Sequence, residues 1–399
     1  MTVGKQGKAL AARLLLTCGN GDFGRLGLST RHSVDIPTHV QSTSLDGLRV
    51  DQVACGGSHT LVLTTDGTVL SFGLNSNGQC GYSPEDLPWL SEPYEVPIPE
   101  DVVGISAGHY HSLAIGKDSG ALWAWGDNGS GQLGLGDGVD ESWCPRMVLD
   151  SIASVSAGAR HSLATTSNGV AYCFGAVLGQ EGSLPRKIQG LEGICIDKVS
   201  AGHMHSACID SDGHVYTFGD GRHAQLGHGS LKDCLIPTQV QGIQYAHEVA
   251  CGGYHTIAVL PGSCAAWGAD QNGCLGIQSD GHGHRTRPDT IANLLDIRKV
   301  SAGWKHSAAI DYSGRMYSWG WGGAQGTAMA NDESGSGGGQ LGLGDDCDAW
   351  FPRRVDTIDV ESALRIPQQQ REDGMLLWKA LQVSCGLNHT AMIVEMCNE

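Results

Sequence analysis

Basic residues are scarce in this chain. Its 399 residues include 25 Lys and Arg against 42 Asp and Glu, which gives a formal net charge of -17 at pH 7. A field of that sign repels phosphate, so broad binding to nucleic acid through charge is excluded. We therefore expect no direct nucleic-acid partner, and a basic protein partner is electrostatically easier to accommodate.

Long apolar runs and paired cysteine motifs are also missing. No apolar run reaches the length that spans a bilayer, so we expect no membrane partner. The 14 cysteines include no Cys-x-x-Cys pair, and Cys55, Cys251 and Cys385 share one position of a repeat that elsewhere holds alanine. Small buried thiols of this kind suit a reducing compartment, which predicts a cytoplasmic or nuclear location.

Glycine, in contrast, is abundant, and much of it belongs to a four-residue unit, Gly-x-x-His, that occurs seven times. The histidines of successive copies are separated by 52, 50, 44, 50, 51 and 83 residues. A period near fifty with a fixed internal pattern indicates a repeat architecture. The copies are Gly56–His59, Gly108–His111, Gly158–His161, Gly202–His205, Gly252–His255, Gly303–His306 and Gly386–His389.

Each copy also carries the signals of a small antiparallel sheet. Two apolar runs are joined by a glycine turn such as Asp66-Gly67 or Asp212-Gly213, and the second run ends in aromatic-Gly, as at Trp125-Gly126. A Pro-containing segment such as Ile236–Val240 suits an outer strand, because proline cannot donate a ladder hydrogen bond. Four strands per repeat in seven radial copies predict an all-β fold, a seven-bladed β-propeller.

The two ends of the chain complement each other. The last repeat stops at Val383–Val394 with only its first hairpin half, and the missing half stands at Leu14–Gly27. We expect the N- and C-terminal segments to pair in one blade, which removes an exposed sheet edge. The predicted boundaries are an N-terminal extension over 1–13, the propeller over 14–394 and a C-terminal tail over 395–399. Because Leu14–Cys18 closes the last blade, cleavage of a targeting peptide there is not expected.

Two insertions explain the long step between the sixth and seventh histidines. The first, 324–338, is rich in Gly, Ser, Asn and Asp, and the second, 360–376, is polar and Gln-rich, with a possible short helix around Gln368–Trp378. Long insertions on one repeat are where function often lies. The third repeat is the most degenerate, because it lacks the Gln-Leu-Gly that follows the aromatic-Gly in most other copies.

The repeated histidines resemble metal ligands or general bases, but their distribution argues against both roles. One histidine per blade suggests that each satisfies backbone groups at its own turn. A radial ring also spaces them too widely for one tetrahedral site. The His-x-His pairs at His109 and His203 have no third ligand that the sequence can place. We expect no catalytic residue, no metal and no cofactor.

The residues that vary inside the fixed unit form the candidate partner-binding surface. The two residues between Gly and His sit at a turn, so one propeller face gathers seven such pairs around the central channel. Aromatic, Met and Arg side chains are typical of protein-binding hot spots. Several could equally plug the channel or pack between blades. The predicted set is Ser58, His109, Tyr110, Arg160, His203, Met204, Tyr254, Trp304, Lys305, Leu387 and Asn388.

Repeats with Gly-x-x-His-Ser/Thr, aromatic-Gly and Gly-Gln-Leu-Gly resemble the regulator of chromosome condensation family, which includes the plant ultraviolet-B receptor. The resemblance covers Leu14–Val394 and implies the propeller fold. The family's roles include nucleotide exchange on a small GTPase, photoreception, and interaction modules of ligases and scaffolds. One fold with many roles requires that function be argued from the site.

The resemblance leaves three functions open. The family's photoreceptor uses tryptophans from Gly-Trp-Arg-His-Thr copies in neighbouring blades, and only Gly303–Ser307 approaches that motif, with Lys305 in place of arginine and Gly253 and Leu387 at the neighbouring positions. The family's exchange factor grips its GTPase with help from a β-wedge in an early blade, which has no obvious counterpart here. We therefore favour a non-enzymatic protein-interaction scaffold over a small-GTPase exchange factor, and both over an ultraviolet-B photoreceptor. The sequence does not predict the oligomeric state.

Overall fold

The computed structural model describes residues 12–278, 281, 283–323, 338–360, 365–368 and 376–397. Short runs of β-branched and aromatic residues between glycine turns form strands throughout this part of the chain. The strands are β1 (Arg13–Gly19), β2 (Val34–His39), β3 (Val50–Cys55), β4 (His59–Thr64), β5 (Val69–Leu74), β6 (Trp89–Glu95), β7 (Val102–Ala107), β8 (His111–Gly116), β9 (Leu122–Asp127), β10 (Glu141–Leu149), β11 (Ile152–Ala157), β12 (His161–Thr166), β13 (Ala171–Gly175), β14 (Gly182–Lys187), β15 (Ile196–Ala201), β16 (His205–Asp210), β17 (Val215–Gly219), β18 (Cys234–Gln239), β19 (Glu248–Cys251), β20 (His255–Leu260), β21 (Ser263–Ala269), β22 (His284–Thr290), β23 (Ile297–Ala302), β24 (His306–Asp311), β25 (Met316–Gly320), β26 (Ala349–Arg354), β27 (Thr357–Asp359), β28 (Arg365–Pro367), β29 (Trp378–Cys385) and β30 (His389–Met396). Three single turns of 3-10 helix lie at Asp22–Gly24, Thr43–Leu45 and Gln271–Gly273.

The strands assemble into seven sheets, which confirms the predicted seven-bladed propeller. Blades 1 to 6 each use four consecutive strands: β3–β6, β7–β10, β11–β14, β15–β18, β19–β22 and β23–β26. The first strands of neighbouring blades contact one another in a closed circle, from β3 through β7, β11, β15, β19 and β23 to β29 and back to β3. These strands therefore surround the propeller axis. The fourth strand of each blade is outermost, and in blades 1 to 6 it contains a proline, as the edge-strand argument predicts.

Blade 7 is built from both ends of the chain, as predicted. Strand β1 pairs antiparallel with β30 over seven residues, from Arg13 opposite Glu395 to Gly19 opposite His389. Its sheet has the order β28-β27-β2-β1-β30-β29, in which β27 joins β2 by a short parallel pairing. The blade therefore has the four expected strands and a further hairpin at its outer edge. Because β1 and β30 pair inside this sheet, the N-terminal and C-terminal segments leave no unpaired strand edge where they meet.

The hydrophobic core lies between blades rather than within them. Seven clusters of buried side chains each combine residues from two neighbouring blades, and the last cluster joins blade 7 to blade 1. Trp125, Trp267 and Trp319, each from an aromatic-Gly pair, are fully buried there. Their predicted role in blade packing is confirmed. Because every interface buries apolar area, removing one blade would expose two apolar faces.

Several segments differ from their sequence-based interpretation. Strand β28 lies inside the second predicted insertion, and Trp378 begins β29, so the possible helix around Gln368–Trp378 does not extend to its predicted end. Its residues 369–375 lie outside the described residues, as do 324–337 of the first insertion and 1–11 of the predicted N-terminal extension. The degenerate third repeat still forms a complete four-stranded blade, with a short connection between β13 and β14.

Candidate functional site

The seven Gly-x-x-His units lie on one face of the propeller, which we call the corner face. Each unit joins the first strand of a blade to the second, so antiparallel pairing places the loop between the third and fourth strands on the same face. The corner face therefore carries two connections per blade. Gly323, which precedes the first predicted insertion, and Gly338, the last residue of that insertion, belong to such a loop in blade 6.

The glycine of each unit is required by contact with the next blade. The backbone N–H that follows it donates to the carbonyl of the next unit's glycine, as from His109 to Gly158 at 3.1 Å. Seven such bonds, 2.9 to 3.3 Å long, close a ring around the axis. A Cβ on Gly158 would lie 2.6 Å from the carbonyl oxygen of Gly202 and 2.6 Å from the ring of His161. A side chain at this position would therefore separate the blades.

The histidines form a second closed ring one layer deeper. Each histidine is buried, and its Nε2 lies 2.8 to 3.0 Å from a Ser or Thr hydroxyl in the following blade. The expectation that each histidine satisfies backbone groups at its own turn was therefore wrong in its choice of partner. The pairs are His59–Ser112, His111–Ser162, His161–Ser206, His205–Thr256, His255–Ser307, His306–Thr390 and His389–Thr60.

The hydroxyl partners fix the tautomer of these histidines. In six of the seven pairs the Ser or Thr hydroxyl donates its proton to a backbone carbonyl of the preceding blade, such as Ser112 to Gln79 at 2.7 Å. The hydroxyl must then accept from Nε2–H, which leaves Nδ1 unprotonated. All seven Nδ1 atoms are buried with no hydrogen-bond partner among the described residues. Burial lowers the pKa of His59, His111, His205 and His306 to about 3 and of His161 and His255 to about 4. At neutral pH these rings are uncharged, and each connects two neighbouring blades through its hydrogen bond.

All eleven predicted partner-binding residues lie on the corner face and are partly or fully exposed. Tyr110, Arg160 and Met204 are the most open, while the other eight are half-buried. The repeated Gly and His are buried in all seven units, whereas the second variable residue is partly or fully exposed in every unit. The structure therefore gives these residues the accessibility that partner binding needs, and their role in binding stays a prediction.

The first variable residue of each unit points toward the channel mouth. His109, His203 and Trp304, from blades 2, 4 and 6, meet there, with ring centroids 5.4 Å apart for the two histidines, 5.9 Å for His109 and Trp304 and 4.5 Å for His203 and Trp304. The alternate blades place Gly57, Ala159 and Gly253 at this position. Blades 1, 3 and 5 contribute almost no side chain here, which leaves room for the three rings to converge, and blade 7 contributes Leu387.

The second variable residues surround this plug, and one of them extends it. Tyr254 packs its ring 5.2 Å from Trp304 and 5.7 Å from His203. Tyr110 lies edge-on to His109 at 6.0 Å. Leu387, the first variable residue of blade 7, lines the narrow cavity of about 80 Å³ below the plug. Ser58 and Asn388 lie on the same face, but no side-chain hydrogen bond joins them to the aromatic group among the described residues.

Two of the variable residues near the mouth, Arg160 and Lys305, are positively charged, and Asp220 is a carboxylate close to them. Burial and the neighbouring Arg160 both lower the pKa of His203, although Asp220 opposes this. Burial, then His203 and Arg160, lower the pKa of His109 to about 4. Both histidines are therefore neutral at pH 7 and present aromatic faces. Lys305 places its Nζ 5.9 Å from the ring centroid of Trp321.

Loops of the corner face contribute residues that the repeat pattern did not single out. His223 packs 4.5 Å from Tyr254, and Arg222 forms an ion pair with Asp220, which lies near both Tyr254 and His203.

Arg25 is almost fully buried beside the ring of Phe23. One sequence signal existed for Arg25, because Arg25-Leu26-Gly27 replaces the Gln-Leu-Gly of the other repeats with a charged residue.

The described residues offer no cluster of three or more His, Cys, Asp or Glu side chains that could hold a metal ion. None of the helical segments in the described ranges has the length and apolar character that crossing a bilayer requires.

All 14 cysteines are free thiols. Cys55, Cys251 and Cys385 are buried at the channel wall, as their repeat position predicts.

Comparisons with known proteins agree with this architecture. The chain is similar to the Ultraviolet-B receptor UVR8 of Arabidopsis thaliana, with 28% identity over 86% of this chain, and the match spans 66% of that receptor, just under two thirds of its length. It is similar to the Regulator of chromosome condensation of Homo sapiens, with 29% identity over 96% of this chain and 90% of that protein. Prp20p from Saccharomyces cerevisiae superimposes with a TM-score of 0.80 at 21% identity, over 98% of this chain and 93% of its own.

The RCC1-like domain model matches residues 14–392, which run from β1 to β30, the first and last strands of the chain. That range contains all seven Gly-x-x-His units, both closed rings and the blade that joins the two ends of the chain. The chain therefore belongs to the RCC1-like domain family.

Proposed function

We propose that this chain is a non-enzymatic scaffold that binds a protein partner on its corner face. The observation that carries the proposal is the convergence of His109, His203, Tyr254 and Trp304, from four different blades, at one accessible mouth. Aromatic rings held rigidly by a scaffold lose little conformational entropy on binding, which suits them to anchor a partner. The fourteen free thiols support a location in the cytoplasm or nucleus.

Replacing Trp304 and Tyr254 with alanine tests this role. Both side chains are half-buried at the surface, so we expect partner affinity to fall by about tenfold or more, while the thermal unfolding temperature changes little. Affinity is measured by titrating the purified partner obtained by pull-down with the unaltered protein. Trp350→Ala, an exposed tryptophan in the outer strand of blade 6, is the control variant. Unchanged affinity together with a large loss of stability would assign the two rings to packing instead.

A second candidate function is nucleotide exchange on a small GTPase. It is favoured by the similarity to the human Regulator of chromosome condensation, which extends over nearly the whole of both chains. A member of this family acts as an exchange factor, and Prp20p has binding properties to Gsp1p and histones. The experiment is release of a fluorescent GDP analogue from purified small GTPases. Release that accelerates with added protein, and not with the Trp304→Ala/Tyr254→Ala variant, would establish exchange at the corner face.

Photoreception is the least supported role, although the chain resembles the ultraviolet-B receptor. Trp304 contacts His109, His203 and Tyr254, and no ring contact joins two tryptophans among the described residues. A coupled tryptophan array therefore lacks support. We expect no change in elution volume on size-exclusion chromatography after ultraviolet-B exposure.

A further inference from the structure

The fourteen variable residues of the seven Gly-x-x-His units contain no carboxylate, although acidic residues outnumber basic ones by 42 to 25 in the whole chain. The only residues among them that are charged at pH 7 are Arg160 and Lys305. The variable residues thus carry two positive charges and no negative one on an acidic molecule, and the nearest carboxylates, such as Asp220, belong to the neighbouring loops. Such local reversal of sign acts over about 8 Å at physiological salt, which is the size of one or two side chains of a partner.

The cations at the mouth lack the ion pairs that would neutralise them. Arg160 and Lys305 form no salt bridge within the described structure, whereas the neighbouring Arg222 is paired with Asp220. Arg160, exposed on the corner face, lowers the pKa of both His109 and His203, so its charge lies near the aromatic plug. A cation held without a counter-ion beside apolar rings is a ready site for a carboxylate.

A third cation, Arg25, extends this positive region toward blade 7. Its side chain is 4% exposed, its Nε donates to the backbone oxygen of Asp22 at 2.9 Å, and its guanidinium lies 5.8 Å from the ring centroid of Phe23. Burial lowers its pKa to about 10, and attraction by Asp22 and Tyr110 offsets only part of that effect. Arg25 therefore remains charged at pH 7, and it has no salt bridge in the described ranges.

The same arrangement argues against two other ligands. A cationic side chain would meet Arg160 and Lys305, and the rings of His109, His203 and Trp304 touch one another rather than forming an open cage. A nucleic acid would extend beyond the mouth into the field of a chain with a net charge of -17. A short peptide segment with one or two carboxylates meets neither obstacle.

We propose that the channel mouth is a receptor for an acidic peptide segment of a protein partner, whose carboxylates bind Arg160 and Lys305 while an adjacent apolar side chain packs on Met204, Tyr254 and Trp304. This inference rests on the proposed scaffold function and specifies the partner that the corner face takes. Binding should weaken with salt, because exposed charge pairs are screened. The basic partner favoured by the whole-chain charge would have to bind elsewhere on the surface.

The test uses two fluorescein-labelled peptides of equal length, one with Glu and Phe residues and one with Lys and Phe residues, titrated by fluorescence anisotropy. We expect the acidic peptide to bind the unaltered protein, and Arg160→Glu/Lys305→Glu to weaken it by at least about tenfold. The double reversal should also raise binding of the basic peptide. Arg186→Glu/Lys187→Glu, in the outer strand of blade 3, makes the same change in net charge away from the mouth and should leave both affinities unchanged.

Equal binding of both peptides to the unaltered protein, or acidic-peptide binding that survives the Arg160/Lys305 reversal, would overturn the proposal. Circular dichroism of each variant checks that the fold is retained. Capture of the natural partner separates the two levels of the hypothesis. Capture that depends on Trp304 and Tyr254 but not on Arg160 and Lys305 keeps the scaffold and removes the acidic ligand. Capture that ignores all four residues removes both.

Discussion

At the scale of single residues, the Gly-x-x-His unit combines two requirements that act at different depths. The glycine brings the backbones of neighbouring blades into hydrogen-bonding distance, and the histidine bonds a hydroxyl of the next blade. Neither residue is free to serve a partner. Variation is confined to the two residues between them, which include every position of the unit that is exposed or half-buried.

Replacing Gly158 with alanine should therefore weaken the ring. The added Cβ would lie 2.6 Å from the carbonyl oxygen of Gly202, a backbone atom that can move only if two blades separate. We expect a loss of about 1–3 kcal/mol in the free energy of unfolding, measured with urea. Gly129→Ala is the matched control, because its Cβ would meet only the side-chain oxygen of Asp127 at 3.2 Å. Similar losses in the two variants would contradict the role assigned to Gly158.

At the scale of strands and blades, the sequence predicted most of the architecture because its signals are local. Asp-Gly and Asn-Gly turns mark hairpins, proline marks outer strands, and the split last repeat marks closure. The added hairpin β27–β28 could not be predicted in this way. Its pairing with β2 joins Asp359 to Thr38, residues far apart in the chain, through a single parallel contact.

The candidate site was predictable in its membership but not in its arrangement. Repeat position placed eleven residues on one face, yet a repeat pattern does not tell which rings meet across an axis. Contact between His203 and Trp304 depends on Gly253, which contributes no side chain from the intervening blade 5. The histidine partners were missed for a similar reason, because Ser162 is fifty-one residues from His111 in sequence and adjacent only after the ring closes.

The buried tryptophans of the aromatic-Gly pairs should contribute strongly to blade cohesion. Trp319 is fully buried, and its Nε1 donates to the backbone carbonyl of Cys274 in the preceding blade at 2.9 Å. Replacing it with alanine should lower the free energy of unfolding by about 3–5 kcal/mol, from lost burial and the cavity left behind. Trp350→Ala, in the outer strand of the same blade, should cost less than about 1 kcal/mol, since that side chain is largely exposed. Equal costs would contradict packing between blades as the source of stability.

At the scale of the whole molecule, ring closure couples all seven blades. The backbone ring and the histidine ring both run from blade 7 to blade 1, through Leu387 to Gly56 and through His389 to Thr60. The terminal pairing of β1 with β30 holds the two halves of blade 7 together. Because each blade is bonded to both neighbours, loss of one contact affects the cooperative unfolding of the entire ring.

The histidine ring should make this cooperative unit sensitive to mild acid. In the unfolded chain histidine has a pKa near 6.5, whereas burial holds the pKa of six ring histidines at about 3 to 4 and that of His389 well below its ordinary value. Between about pH 6.5 and 4 the unfolded state binds protons that the folded state does not. Stability should therefore be fully present above pH 6.5 and fall as the pH is lowered, by about 1.4 kcal/mol per pH unit for each fully titrating histidine.

Urea unfolding at a series of pH values from 7.5 to 4.5 measures this dependence. Carboxylates with lowered pKa, such as Asp210 and Asp220, lose their stabilising effect mainly below about pH 4, so the two classes act in separate windows. Replacing His255 with glutamine should reduce the slope by about one proton, whatever it does to the absolute stability. A free energy of unfolding that stays constant from pH 7 to 5 would contradict the buried, neutral state of the ring, and with it the account of how the blades are joined.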